Sequence, residues 1–114
     1  MALSEDVNVT VRARMKRDPA LCQEVLKEAI AVLIAGEVEV GKTLLRNYVI
    51  ARLGFDELGR LTGKAPQSLM RMLSRTGNPQ ARNLFEVIRV LQEHEGVQTE
   101  VRFKRRPDEA AMAR

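Results

Sequence analysis

Cysteine and histidine are almost absent from this sequence, which contains one of each, Cys22 and His94. A single cysteine cannot form a disulfide within the chain, and one histidine beside one cysteine leaves no cluster of soft metal ligands. Ser68 and Ser74 have no histidine near them in the sequence, and no pair of carboxylates stands out for acid–base chemistry. The sequence therefore predicts a protein that is not an enzyme and that holds neither a metal nor a cofactor.

Long apolar runs are also missing. No stretch approaches the roughly 18 consecutive apolar residues that a membrane-spanning helix needs, and the opening MALSEDVNV lacks the apolar core of a signal peptide. We therefore expect a cytoplasmic protein without a membrane partner. At 114 residues, of which 45% are hydrophobic and 30% charged, the chain is long enough for one globular domain with one modest core.

Charge is unevenly distributed along the chain, although the net charge is only +4. Residues 18–57 contain seven acidic and four basic residues, whereas residues 58–92 contain six basic residues and one acidic residue. A regional excess of positive charge can serve as an electrostatic footprint for phosphate groups, and a basic face that is merely solvated is the alternative. Residues 58–92 are therefore the region in which contacts with a nucleic acid are expected.

Helical periodicity dominates the pattern of apolar residues. The segments predicted to be helical are, in chain order, about 18–36, 38–53, 55–62, 66–73 and 79–95. Val97 to Phe103 alternates apolar and polar residues and predicts a short strand. Residues 1–17 alternate like a strand but also fit one helical face, and we predict an N-terminal arm that is helical or disordered. The expected fold is all-α, with one domain over residues 18–103, a short C-terminal β-strand and a mobile basic tail over residues 104–114.

Gly36 to Thr43 (GEVEVGKT) matches the spacing G-x-x-x-x-G-K-[ST] of the loop that cradles phosphates in many nucleotide hydrolases. That loop follows a strand of a parallel sheet, whereas here helical periodicity precedes the match and the rest of the chain offers one strand candidate. Glu37 and Glu39 would also place negative charge where a triphosphate must bind. We therefore interpret the match as a connection between two helices, with Gly36 ending the first, and predict no nucleotide site.

The segment GFDELGRLTGKAPQSLMRMLSRTGNP, residues 54–79, carries the functional prediction. Two helices of about two turns, joined by a short turn that opens with glycine, are typical of the DNA-binding helix-turn-helix. Gly59 leaves room for the second helix to cross closely, Gly63 can adopt the positive φ of the turn, and Pro66 can begin the second helix. The residues predicted to face the shared core are Leu58, Leu61, Leu69 and Met72 or Leu73.

Polar residues occupy the other face of the second helix. Glutamine can pair bidentately with adenine, arginine with guanine, and serine with several base edges, whereas other basic side chains contact phosphates and set position. Solvation is the alternative for each of these side chains. The residues predicted to contact DNA are Gln67, Ser68 and Arg71 at bases or in the groove, Lys64, Arg75 and Arg82 at phosphates, and Pro66 at the start of the helix.

Three pieces of the sequence, LRNYVIARLGFDEL, KAPQSLMRMLSRTGNP and NLFEVIRVLQ, together resemble a known family. They look like the addiction-module antidote proteins, HigA-type antitoxins within the Xre, lambda-repressor-like group. The resemblance covers residues 44–102 and extends, with the upstream helix and the G-E-V-x-x-G-K connection, to about residues 14–103. It implies an all-α domain of five or six helices that dimerises, binds a palindromic operator in its own promoter and pairs with a small RNA-cleaving toxin of RelE-like fold.

Two positions depart from the family pattern. Lys64 occupies a turn position that is usually apolar, and Ala65 replaces the usual Ser or Thr cap, at a cost to the second helix of about 1 kcal/mol. The sequence leads to two functional hypotheses. The first is a homodimeric antitoxin and autorepressor that binds double-stranded operator DNA. The second is a protein-interaction module that neutralises a partner enzyme without specific DNA binding, through the exposed edge of the Val97–Phe103 strand.

Overall fold

The computed structural model describes residues 4–107, and within that range the chain forms six α-helices and no strand. The helices are α1 (Glu5–Arg17), α2 (Pro19–Ile34), α3 (Val38–Arg52), α4 (Gly54–Thr62), α5 (Pro66–Met72) and α6 (Ala81–Glu95). The prediction of an all-α protein is confirmed for this range. None of the helices described there is both long and apolar enough to cross a membrane.

A single residue, Asp18, both ends α1 and begins α2. Its backbone N–H donates to the carbonyl of Met15 at 3.3 Å, and its carboxylate accepts hydrogen bonds from the N–H groups of Ala20 and Leu21 at 3.1 and 3.3 Å. Pro19 occupies the first turn of α2, where its missing N–H removes no intrahelical bond. The start predicted for this helix from the Asp-Pro pair is therefore the one observed.

Of the two alternatives for residues 1–17, Glu5–Arg17 adopts the helical one. This helix packs against α3 and α2, and Met15 near its carboxyl end is buried in the core. The buried amide of Asn47 in α3 donates to Asn8 and accepts from Arg12, both at 2.9 Å. The N-terminal helix is therefore an integral part of the bundle and does not stand apart as an arm.

One hydrophobic core joins all six helices. Its fully or almost fully buried residues include Met15, Cys22, Leu26, Ala29, Leu45, Tyr48, Val49, Leu58, Leu69, Val87 and Leu91. The largest contact between helices is that of α2 with α3, while α4 contacts α3, α5 and α6. The short helix α5 is thus held on the bundle mainly through α4, which leaves much of its surface exposed.

A polar cluster anchors the carboxyl end of α6 to α3. The hydroxyl of the fully buried Tyr48 donates to the carboxylate of Glu95, whose Oε1 also lies 3.5 Å from Nε of Arg52. Burial, together with the hydrogen bond to Glu95, raises the pKa of Tyr48, so the phenol stays protonated and remains a donor. The point at which the chain leaves α6 is therefore fixed relative to α3.

The predicted short strand from Val97 to Phe103 is not formed, and this prediction is wrong for the single chain. Residues 97–106 adopt neither helix nor strand, because the described part of the chain supplies no second strand with which they could pair. Instead, the side-chain oxygen of Gln92 accepts hydrogen bonds from the N–H and hydroxyl of Thr99, at 2.9 and 2.6 Å. Most of the tail predicted to be mobile, residues 108–114, lies outside the described residues.

Candidate nucleic-acid interface

A turn of three residues, 63–65, joins α4 to α5. Gly63 ends α4 in the left-handed region, with φ +71°, and its N–H donates to the carbonyl of Gly59 at 2.8 Å. Ala65 has extended backbone geometry and no side-chain capping bond, and Pro66 occupies the first turn of α5. Glycine and proline therefore take the positions predicted for them, while α5 begins without the side-chain cap that Ser or Thr would supply.

The two helices of this unit cross closely at Gly59. A Cβ atom added to Gly59 would lie 2.7 Å from the carbonyl oxygen of Lys64 and 3.2 Å from Cγ of Pro66. Both neighbours belong to the backbone or to a rigid ring, which cannot swing aside as a flexible side chain can. The crossing therefore requires glycine at this position.

Substituting Gly59→Ala is expected to lower the free energy of unfolding by about 1 kcal/mol, because overpacking costs more than alanine gains as a helix former. Without the clash, helix propensity alone would make the variant more stable than the parent. The sign of the change in the free energy of unfolding therefore tests whether the helices cross as closely as described. The measurement is urea denaturation followed by circular dichroism, with Arg60→Ala, an exposed neighbour on the same helix, as control. A stabilised Gly59→Ala protein would contradict the close crossing.

The side chains predicted to fill the shared core do so with one exception. Buried as predicted are Leu58, Leu69 and Leu73, with Met72 partly buried. Leu61, however, is 39% exposed. The buried stripe of α4 runs through Leu58 and Gly59, and Leu61 lies roughly 100° around the helix from the middle of that stripe. The prediction that Leu61 faces the core is therefore wrong, and its side chain lies at the rim between α4 and α6.

The outer face of α5 is polar and exposed. Gln67, Ser68 and Arg71 are all exposed, and Arg75 is exposed in the loop that follows the helix. Leu69, on the opposite side, is fully buried. The helix therefore exposes the three residues predicted to contact bases, while a leucine on the opposite side anchors it to the core.

Open grooves lie on both sides of this face. A groove of about 490 Å³ between α5, the loop after it and the start of α6 is lined in part by Ser68, Arg71 and Asn83. A second groove of about 650 Å³, between the first turn of α4 and α5, is lined in part by Gln67 and the exposed Met70. The structure thus brings Ser68 and Arg71 together and places Gln67 in the other groove. Met70 was not predicted as a site residue. The sequence indicated it only through its position three residues after Gln67, which makes the two side chains neighbours on the helix surface.

The candidate phosphate contacts lie outside these two grooves, apart from Lys64. Arg75 is exposed in the loop after α5, and Arg82 is exposed in the first turn of α6. Both side chains lie beside the exposed face of α5. This position suits contacts with the phosphate backbone of DNA. Pro66 is partly buried against Gly59, so its contribution is to start the helix.

Lys64 is tied to α6. Its ammonium donates to Oδ1 of Asn83 at 3.2 Å and lies 3.2 Å from a carboxylate oxygen of Glu86. The nearby carboxylate reduces the positive potential that Lys64 can offer to a phosphate. The geometry therefore favours a role for Lys64 as a tether between the α4–α5 turn and α6 over the predicted phosphate contact.

The lysine of the phosphate-loop match, Lys42, has a different task in this structure. It belongs to α3, so the residues that would form a loop around a phosphate are helical from Val38 onwards. Its side chain is buried, with 1% of the residue exposed. The ammonium donates to the carbonyls of Gly77 at 2.5 Å and Arg75 at 3.5 Å, and it lies 3.4 Å from Oε1 of Glu39. Lys42 therefore fixes the loop after α5 to α3.

That loop, residues 73–80, also holds itself tightly against α5. The hydroxyl of Ser74 donates to the carbonyl of Arg71 at 2.7 Å, and the N–H of Gly77 donates to the carbonyl of Ser74 at 3.1 Å. These bonds continue the end of α5 into the loop that carries Arg75. The polar face of α5 and its basic border are thus built as one unit with α3, through Lys42.

Among residues 4–107, no group of three or more His, Cys, Asp or Glu side chains is arranged to hold a metal ion. Comparisons of the chain with protein-family models, with curated proteins and with solved structures find no match. The geometry of α4, α5 and the loop that follows them therefore carries the functional proposal.

Proposed function

We propose that this chain is a sequence-specific DNA-binding transcriptional regulator, in which α4 and α5 act as a helix-turn-helix and α5 is the recognition helix. The observation that carries the proposal is the outer face of α5, where Gln67, Ser68 and Arg71 are exposed on a helix anchored by a buried leucine. A helix about 10 Å across fits the major groove of B-DNA, which is about 12 Å wide. The role proposed is a binding role and involves no catalytic step.

In this proposal, the side chains divide into two classes of contact. Arg71 and Ser68 in one groove, and Gln67 in the other, read base edges and give specificity. Arg75 and Arg82 neutralise phosphates and supply a large share of the affinity, which must therefore fall as the salt concentration rises. Lys42 lies behind this surface and Lys64 lies at its edge, and both are engaged with oxygen atoms of the protein itself.

The regulatory setting of the proposal comes from the sequence resemblance. On that ground we propose a cytoplasmic antitoxin of a type II toxin–antitoxin module that represses its own promoter as a homodimer, with a RelE-like toxin as partner. A two-fold dimer matches a palindromic operator, since each protomer then meets one half-site. The α4–α5 geometry supports the DNA-binding part of this proposal, and the toxin partner rests on the resemblance.

Binding to a labelled fragment of the chain's own promoter, followed by fluorescence anisotropy at two salt concentrations, tests the proposed function. We expect tighter binding to the promoter than to a scrambled fragment of the same length. The logarithm of the affinity should fall linearly with the logarithm of the salt concentration, with a slope of about 0.9 for each phosphate neutralised. Equal affinity for the promoter and scrambled fragments would reject a sequence-specific regulator and favour a protein-interaction module.

A further inference from the structure

Met70 is an apolar side chain beside the polar face of α5. It is 43% exposed, although methionine is a residue that proteins often bury. It lines the groove of about 650 Å³ between the first turn of α4 and α5, together with Gln67. We call this groove the Met70 groove. The contacts assigned above to the polar side chains of α5 leave Met70 without a role.

The Met70 groove is apolar next to the methionine itself. Phe55 in the first turn of α4 and Pro66 in the first turn of α5 line it, and both are partly buried. Methionine has three rotatable bonds and a polarisable sulfur, so its side chain adapts to a small apolar group placed against it. The groove therefore offers an apolar surface next to the hydrogen-bonding groups of Gln67.

The two grooves beside α5 differ in charge. The groove that contains Ser68 is lined by two basic residues, Lys64 and Arg71. None of the described residues that line the Met70 groove is basic, and Asp56 contributes a carboxylate there. A phosphate in the Met70 groove would meet a like charge, with no cation in the groove to offset it. The part of DNA that suits this groove is therefore uncharged, as the edge of a base is.

We propose that Met70 is a further specificity-determining residue and contacts the C5-methyl group of a thymine. This inference rests on the proposed function, because it needs α5 to lie in the major groove of DNA. The thymine methyl is the apolar group that the major groove presents, and it distinguishes thymine from the other bases. Met70 thus adds an apolar contact to the hydrogen bonds made by the polar side chains of α5.

The position of Met70 on α5 also limits where that thymine lies. Gln67 and Met70 are three residues apart in a helix, so their Cβ atoms are about 5–6 Å apart. Successive bases of one DNA strand are separated by about 3.4 Å along the helix axis. The thymine that Met70 contacts is therefore within about two base pairs of the adenine that Gln67 contacts.

Replacing thymine by uracil removes the methyl group and leaves the base pairing unchanged. The first experiment measures fluorescence anisotropy with the promoter fragment synthesised either with thymine or with uracil throughout. The parent should bind the uracil fragment about fourfold more weakly for each half-site, as expected for one buried methyl group. Met70→Ala should bind the thymine fragment more weakly than the parent by about the same factor, and it should bind both fragments equally.

Val9→Ala is the matched control, because Val9 is another apolar residue that is about half exposed, at 52%, and its helix α1 packs against α2 and α3. This variant should keep both the parental affinity and the parental preference for thymine. A change in the shape of the uracil fragment would affect Met70→Ala as much as the parent, so the comparison of these two proteins isolates the methyl contact.

The outcomes separate this inference from the proposed function. A parent that prefers the promoter to scrambled DNA but binds the thymine and uracil fragments equally would overturn the role of Met70 and leave the proposed function standing. A Met70→Ala protein that retains the full parental preference for thymine would do the same. A parent that binds promoter and scrambled DNA equally would overturn both.

The second experiment locates the thymine within the promoter fragment. Uracil replaces one thymine at a time, and 7-deazaadenine, which lacks the N7 acceptor, replaces one adenine at a time. Uracil should weaken parental binding at one thymine of each half-site, and 7-deazaadenine should do so at an adenine within about two base pairs of it. Gln67→Ala should lose the effect of 7-deazaadenine and keep that of uracil. Sensitive positions farther apart would overturn the assignment of the methyl contact to Met70.

Discussion

Replacing Arg71 with alanine is expected to weaken binding to the promoter fragment by about 5- to 150-fold, which corresponds to about 1–3 kcal/mol. Arg71 is exposed on the outer face of α5 and lines the groove shared with Ser68 and Asn83. An arginine in that position can donate two parallel hydrogen bonds to a guanine, and its loss leaves the acceptor atoms of the base without partners. The loss should therefore depend on the base sequence of the fragment.

The control for this substitution is Arg89→Ala, which removes the same charge from a different surface. Arg89 is exposed on α6, pairs with Glu93 at 2.9 Å and lies beside Leu61 and His94 at the rim of α4. Anisotropy titrations should show a much smaller loss for this variant, equal on promoter and scrambled fragments. If Arg89→Ala and Arg71→Ala lost affinity equally, Arg71 would be acting through charge alone and not through contact with a base.

Replacing Lys42 with methionine is expected to loosen the loop after α5 and to lower the free energy of unfolding by about 1.5–3 kcal/mol. Methionine fills a similar volume, but it leaves the carbonyl of Gly77 without the ammonium that donates to it at 2.5 Å. Chemical denaturation gives the free energy, and hydrogen exchange reports on the loop. Amides of residues 74–80 should exchange faster in the variant, while those of α2 change less.

Lys27→Met provides the control for Lys42→Met, because Lys27 is exposed on α2 and its loss removes the same charge. We expect its stability and exchange pattern to match those of the parent. Promoter binding should fall in Lys42→Met although Lys42 is buried and cannot reach DNA, since the loop that carries Arg75 is no longer fixed. Unchanged exchange in residues 74–80 would show that the loop is held by its own hydrogen bonds.

The sequence was most informative where a residue type is tied to a backbone geometry. Gly63 and Pro66 marked the turn and the start of α5, and both have the predicted conformation. Asp18 marked the start of α2 for the same reason. These predictions depend only on local sterics and hydrogen bonds, so the surroundings of each residue have little power to change them.

The predictions that failed depended on what other parts of the molecule supply. Leu61 has the apolar character of a core residue, but the direction of the buried stripe on α4 depends on how α5 and α6 pack against it. The segment from Val97 to Phe103 has the alternation of a strand, yet a strand exists only when another one pairs with it. Neither fact can be obtained from one stretch of sequence considered alone.

Lys42 belongs to a motif that suggests nucleotide binding, but its side chain has a structural role. Its position in a phosphate-loop match drew attention to nucleotides, whereas in the structure it lies on the buried face of α3 with Leu45 and Val49. Burial of a lysine requires oxygen atoms around its ammonium. Those atoms come from a loop more than 30 positions later in the chain, with Gly77 35 residues away, and no local pattern could have shown which carbonyls would supply them.

Helix α6 connects the turn before the proposed recognition helix to α3. Asn83 and Glu86 near its beginning hold the turn before α5 through Lys64, and its end is fixed to α3 through Tyr48 and Glu95. Its 15 residues span about 22 Å. An insertion of one residue in α6 would rotate one of these two anchored ends by about 100° relative to the other. The length of α6 therefore decides whether both of its anchors can form at once.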